Sequence, residues 1–181
     1  MKKILTLCCA AVLLLSCKKD TDALPEPTQT GAHTFGARLD GNFWVPAKFG
    51  IAPTAPILEA RYSGNNSVII NARNFSESPT ETEFEICLRN VTESGTGVIL
   101  LNQQTNPYPQ QTASYGYFIK RRLMPLGQWI TGPQHTGQVN ITRLDTVNHF
   151  ISGTFQFTAG SINNNDQPIA VTEGRFDVKI Q

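Results

Sequence analysis

The chain has 181 residues, a formal net charge of +1 and 14 glycines and 11 prolines. Near-neutrality excludes a polybasic nucleic-acid or lipid-adsorbing surface as the basis of function. Of its four cysteines only Cys87 lies beyond residue 17. Cys8, Cys9 and Cys17 all lie in the first 17 residues, so no disulfide within the rest of the chain is expected, and its stability must come from burial of apolar surface.

The N-terminus reads as a targeting segment. Lys2 and Lys3 precede the apolar run Ile4 to Leu15, which has signal-peptide length and is too short to span a bilayer. The run closes on Leu14-Leu15-Ser16-Cys17, which resembles the bacterial lipobox. That resemblance implies cleavage before Cys17 and a thioether-linked diacylglycerol on its sulfur. Acyl chains contribute about 0.8 kcal/mol per buried methylene, so several of them hold a domain on a membrane without a spanning helix. Removing residues 1–16 takes Lys2 and Lys3 from the 15 basic residues and none of the 14 acidic ones, which brings the formal charge to −1. Residues 17–32 contain Lys18 to Thr30, charged, proline-bearing and nearly devoid of apolar side chains, so a flexible tether is expected there. Lys18 after the anchor, in place of an inner-membrane-retaining aspartate, points to the outer membrane, with the periplasmic or external face left open.

A single β-rich domain is expected over residues 33–181. Phe35, Ala37 and Leu39 alternate with polar residues, Asp40-Gly41 supplies a two-residue hairpin turn, and Asn42 to Val45 returns; such a turn sets Leu39 against Asn42 and Ala37 against Trp44. Pro46 ends that strand. Ile57 to Tyr62 and Val68 to Arg73 flank the turn Ser63 to Asn66, and Thr82 to Asn90 alternates with Phe84, Ile86 and Leu88 on one face. Glu83, Glu85 and Cys87 take the other face, which is expected to be an exposed sheet surface. The short apolar run Val98 to Leu101 suits a strand buried on both sides or entering the core. Asn102 to Thr112 is the longest irregular stretch, and Tyr115, Tyr117 and Ile119 restart a strand that ends in the solvated cluster Lys120-Arg121-Arg122.

The C-terminal sheet is the clearest part of the pattern. Val139 and Ile141 lead through the turn Asp145 to Asn148 into Ile151, Gly153, Phe155, Phe157 and Ala159, a period-two alternation. The last strand changes parity between Val171 and Phe176, which requires a bulge; Glu173-Gly174 is its expected place, because glycine accepts the dihedrals. Asp177 belongs to a charged outer face. Nine or ten short strands without a helical period give an all-β fold, an antiparallel β-sandwich in preference to a flattened barrel.

His135-Thr136-Gly137, Val139 to Thr142, Ile151-Ser152-Gly153-Thr154-Phe155 and Thr172 to Asp177 together resemble an uncharacterised family of Bacteroidota lipoproteins, and Ala37 to Gly41 with Trp44 fit the same pattern. The resemblance implies an envelope lipoprotein with a β-rich domain and carries no assigned activity.

Candidate chemistry is sparse. Cys87 with His135 or His149 would be a thiol nucleophile and base, but a mid-strand position does not stabilise a thiolate. His33, His135 and His149 lack metal-ligand spacing, and Asn163 to Asp166 lacks the acidic density of a calcium loop; no metal and no cofactor is expected. The remaining hint is aromatic and amide content around Tyr108, Tyr115, Tyr117 and Trp129, beside a long loop that could shape a groove for a glycan. Thr146, in Asp145-Thr146-Val147, resembles a short O-glycosylation motif. The expectation is a non-enzymatic binding or scaffolding domain, partnered by a glycan or an envelope protein and not by nucleic acid. The alternative is a calycin-like carrier with an apolar ligand inside a barrel, and a hydrolase ranks third.

Overall fold

A computed structural model describes residues 23–50, 55–64, 66–163 and 165–181. The lipobox and Cys17 lie outside these residues. The described chain forms eleven strands and one helical turn. They are β1 (Thr34–Leu39), β2 (Asn42–Trp44), β3 (Leu58–Ser63), β4 (Ser67–Asn74), β5 (Glu81–Leu88) and α1 (Val91–Ser94). There follow β6 (Gly97–Leu100), β7 (Tyr115–Arg121), β8 (Pro125–Ile130), β9 (Gly137–Asp145), β10 (Phe150–Ser161) and β11 (Ile169–Lys179). No helix among the described residues is long and apolar enough to cross a membrane.

The strands make one antiparallel sheet curled into a half-barrel whose two leaves face each other as in a sandwich. One leaf runs β6-β9-β10-β11-β1-β2 and the other β8-β7-β5-β4-β3. The long β10 joins them: Phe150 to Phe157 pair with β9, then Gly160 and Ser161 pair with β8. On the far side, isolated bridges at Ala60–Ile180 and Ala47–Asn74 bring the leaves back together.

Turn chemistry sets the first hairpin. Asp40 and Gly41 both take positive φ, the type I′ requirement, and Leu39 pairs with Asn42 and Ala37 with Trp44. Alternating residues from both leaves then fill the interior. The Phe84 ring sits 4.6 Å from Trp44 and 4.8 Å from Phe118 between centroids, with Phe35, Phe155 and Phe157 within 6.5 Å. Tilted and edge-on ring pairs of this kind add to the burial itself. Gly153 lets β10 approach its neighbour: a Cβ there would stand 2.6 Å from the Asn140 carbonyl oxygen.

The bulge in β11 falls where expected, since the pairing with β10 slips between Phe155 and Phe157, opposite Gly174 and Val171. The division of labour within it differs. Glu173 carries the positive φ of 52°, and Gly174 is small because a Cβ would run into the Phe155 ring.

Three other expectations change. Val98 to Leu101 is not buried on both sides: β6 is an edge strand with Val98 and Leu100 each 57% exposed, while Leu101 enters the core and Ile99 packs half-buried against it. The face carrying Glu83, Glu85 and Cys87 is largely covered, and a second apolar cluster of Ile69, Cys87, Tyr115, Tyr117 and Ile119 lies on it. Asp177 is buried, because residues 28–32 lie across the outer face of its leaf. Its carboxylate accepts hydrogen bonds from Thr28 Oγ1 (2.6 Å), the backbone N–H groups of Thr30, Gly31 and Ala32 (2.9–3.0 Å) and Ser152 Oγ (2.7 Å). The latter part of the expected tether is thus fixed to the domain.

Candidate functional site

The four aromatic residues singled out in the sequence do not form one platform. Tyr115 is fully buried on the outer face of β7, and Tyr117 nearly so. The loop after Leu101 folds back over them: Thr105 Oγ1 accepts from the N–H groups of Thr112 and Ala113 and so clips its two limbs together. Tyr115 Oη accepts from Tyr108 N–H at 2.7 Å and donates to Glu85 Oε1 at 2.5 Å. Burial and the Glu85 charge raise the Tyr115 phenol far above its ordinary value, while burial, then Glu85, pushes Tyr117 up to about 12. Tyr117 Oη donates to Gln128 Oε1 at 2.8 Å. Both are covered phenols that stay protonated.

Trp129 points to the other face. Its ring packs 5.8 Å from Phe118 and lies over Gly127, and its Nε1–H donates to the Gln167 carbonyl at 2.9 Å. Tyr108 alone of the four presents a ring to solvent, 48% exposed, with the Arg61 guanidinium 5.1 Å from its centroid.

Around Tyr115 the outer face carries a continuous polar network. Asn71 Nδ2 donates to Glu83 Oε1 (2.8 Å) and Glu85 Oε2 (3.0 Å), and its Oδ1 accepts from Arg61 at 2.8 Å. Glu83 is held between Arg73 (3.3 Å) and Arg121 (2.7 Å), and Arg121 also pairs with Glu81. Arg121 is therefore an internal partner rather than part of a solvated cluster; Lys120 and Arg122 are exposed. Buried charges persist only when neutralised and hydrogen-bonded in this manner, and the network leaves no carboxylate here free for acid–base work.

Cys87 lies inside the same covered face, and burial, reinforced by Glu85, raises its thiol to about 12. It is protonated at neutral pH and not a nucleophile. His33 is engaged with Leu58 O and Lys179 N–H, and His149 sits in the β9–β10 turn. No group of three or more His, Cys, Asp or Glu among the described residues is placed to hold a metal ion. Thr146 is exposed in its turn, beside Asp145, whose carboxylate is held at about 2, chiefly by the Asn148 N–H.

The long loop does shape a groove, on its other side. A cleft of about 550 Å³ opens where β10 leaves one leaf for the other, between residues 104–107, 130–135 and 160–162, with Asp166 and Pro168. Gln104, Asn106, Gln134, His135, Ser161 and Asp166 line it. Among the described residues none of these six side chains has a hydrogen-bond partner, whereas Thr105 and Thr131 in the same wall are engaged. Gly160 gives His135 its seat, since a Cβ would strike the imidazole. Sequence reading placed the loop correctly and missed this side. Gln104 and Asn106 are far in the chain from Gln134 and from Ser161 and Asp166, and only the change of leaf along β10 brings these groups together.

Neither the curated proteins nor the solved structures include a match to this chain. A family model matches residues 32–178, the whole of both leaves except the final residues, and on that match the chain belongs to the family described as a domain of unknown function, DUF6252.

Proposed function

We propose that this is a lipid-anchored cell-envelope protein of the Bacteroidota, held on the outer membrane through Cys17, whose domain binds a glycan without transforming it. The observation that carries the binding half is the groove at the β10 crossover: three amides, an imidazole, a hydroxyl and a carboxylate, none with a partner among the described residues, in a cleft of about 550 Å³. Convergent amide and hydroxyl groups in an open cleft match the alternating donors and acceptors of a sugar. Binding rather than bond-making is supported by the protonated, covered thiol of Cys87 and by the ion pairs that engage Glu83. Anchoring rests on the lipobox sequence at Leu14 to Cys17. An exposed Thr146 fits a modified, envelope-facing surface.

A carrier with an apolar ligand between the leaves gains nothing from this interior, because the rings of Phe35, Trp44, Phe84, Phe118, Phe155, Phe157 and Phe176 are packed there. The test is binding of the full-length protein to an array of envelope and capsular glycans, repeated with Gln134→Ala and His135→Ala combined. The reading requires at least one glycan to bind and the double variant to weaken it tenfold or more. Absence of any binder, or unchanged binding by the variant, removes the glycan and leaves an envelope protein as the candidate partner.

A further inference from the structure

One row of paired residues crosses an end of the second leaf: Ala47 with Asn74, Asn74 with Thr82, Thr82 with Lys120, Lys120 with Gly127. The segments that run past this row all protrude from the same end of the molecule. Residues 122–124 turn between β7 and β8, and at this hairpin tip and the start of β8 Leu123 is 95% exposed, Met124 73% and Leu126 58%. Phe49, past Ala47, is exposed on the neighbouring loop, and so is Ile162, past the Ile162 N–H to Gln128 O bond. Isolated exposed apolar residues are ordinary, but large ones gathered at the loop tips of one end mark an interaction surface.

The cations of this end have a matching disposition. Lys48, Lys120 and Arg122 are exposed and have no ion-pair partner among the described residues. Two acids, Glu77 and Asp166, are exposed on adjoining loops; the hairpin tip from Lys120 to Leu126 contains none. Apolar tips flanked by free cations suit the boundary between acyl chains and phosphates.

The course of the N-terminal segment says which surface meets them. Residues 28–32 are pinned to Asp177, and Ala23, the first described residue, lines a groove with Pro46, Ala47 and Lys48. The chain therefore leaves the domain beside the end that carries Phe49. Ala23 is only six residues along the chain from Cys17, with five between them, a span of at most about 22 Å fully extended. An anchor on that leash cannot let the domain drift far from the lipid.

We propose that this end, led by Leu123, Met124 and Leu126, docks on the bilayer that holds the chain's own anchor, so that the domain lies against the membrane with its β9–β10 turn pointing away. The inference takes its choice of bilayer over protein from the Cys17 reading. The two are tested separately in one preparation. Full-length protein from a host that acylates lipoproteins is reconstituted into phosphatidylethanolamine–phosphatidylglycerol vesicles (3:1). Environment-sensitive fluorophores are placed at Met124→Cys or, at the opposite end, Val147→Cys; the buried Cys87 thiol stays unlabelled. The expected result is a blue shift of the Met124 probe with severalfold quenching by nitroxide lipids, and a Val147 probe that behaves as in water. Equal, aqueous behaviour of both probes overturns the docking, and so does a protected Met124 probe that nitroxide lipids do not quench, which would place the tip against a second copy of the chain. Mass spectrometry of the N-terminal peptide from the same sample reads the acyl group independently. An acylated chain with an aqueous tip refutes only the docking, and an unacylated chain with a lipid-quenched tip refutes only the anchor.

Discussion

Ser152 on β10 and Asp177 on β11 are direct cross-strand partners, and the serine hydroxyl donates a 2.7 Å hydrogen bond to the aspartate. The pair looks outward from the core and is nevertheless buried, because Thr28 to Ala32 close over it. Replacing Asp177 by Ala strands Ser152 and three backbone N–H groups and is expected to cost about 2–4 kcal/mol, whereas Ser152→Ala costs about 1 kcal/mol. Urea denaturation measures both. The Asp177 variant should also become sensitive to proteases between residues 23 and 32, and the Ser152 variant should not.

The same carboxylate predicts a pH dependence. Burial works to raise its pKa, but the bonds from Thr28, Ala32, Ser152 and Thr30 outweigh burial and hold it at about 2. An unfolded aspartate titrates near 3.9. A depressed native value stabilises the fold above the unfolded value, and that contribution, about 2 kcal/mol, is lost as pH falls from about 4 through 2. Denaturation midpoints should drop over that window in the wild type. The drop should be smaller in Asp177→Asn, with Asp145→Asn as a control for the exposed turn carboxylate that is also lowered.

How much of this was legible in the sequence depends on what each residue answers to. Leu39 opposite Asn42, and Trp44 opposite Ala37, follow from a two-residue turn and alternation, and the pairing agrees. Alternation also assigned Cys87 and Asp177 to outward faces correctly, whereas the Tyr115, Tyr117 and Ile119 set was given no face and lies outward because Phe118 between them takes the core side. It carries no information on what lies over such a face. The loop clipped at Thr105 and the segment pinned at Asp177 are tertiary decisions, and they turn expected ligand-facing tyrosines into covered ones. The groove was illegible for a related reason, since its walls meet only because β10 changes leaf.

Within the β11 bulge the two residues should respond in opposite ways. Gly174→Ala drives a methyl group into the Phe155 ring and is expected to destabilise by about 1–3 kcal/mol, as overpacking does. Glu173→Gly removes the strain of a left-handed non-glycine residue, worth about 1–2 kcal/mol, and loses the 2.9 Å ion pair with Arg38, worth at most about 1 kcal/mol at such exposure. The net effect of Glu173→Gly should therefore lie between zero and a gain of about 2 kcal/mol. A glycine placed for its dihedrals would instead make Gly174 the intolerant site through φ, with Glu173→Gly neutral; a thermal-shift comparison of the two variants against Glu173→Ala tells the cases apart.

The Glu83 network tests whether the covered outer face is held by charge or only lidded by the loop. Glu83 is nearly buried between Arg73 and Arg121. Glu83→Gln leaves two guanidinium groups with less negative charge in a partly dry setting, and breaking such a pair costs about 3–5 kcal/mol. Arg143 and Asp145, 3.0 Å apart at the surface, should contribute far less, a contrast that double-mutant cycles followed by urea denaturation would read for both pairs.

Cys87 then reports on the lid directly. With its thiol raised to about 12 and covered, alkylation at pH 8 requires an opening of the 102–114 loop or of the fold. If the charge network holds the face, Glu83→Gln should speed labelling of Cys87 by tenfold or more at denaturant concentrations well below the unfolding midpoint, because local opening then precedes global unfolding. Tyr115→Phe removes the phenol that ties Tyr108 N–H to Glu85, and should speed labelling through the loop itself with a smaller loss of stability, about 1 kcal/mol. Equal labelling rates in the wild type and in both variants would mean that Cys87 is reached only through global unfolding. The loop and the ion pairs would then belong to one cooperative unit with the core, rather than to a separable cover.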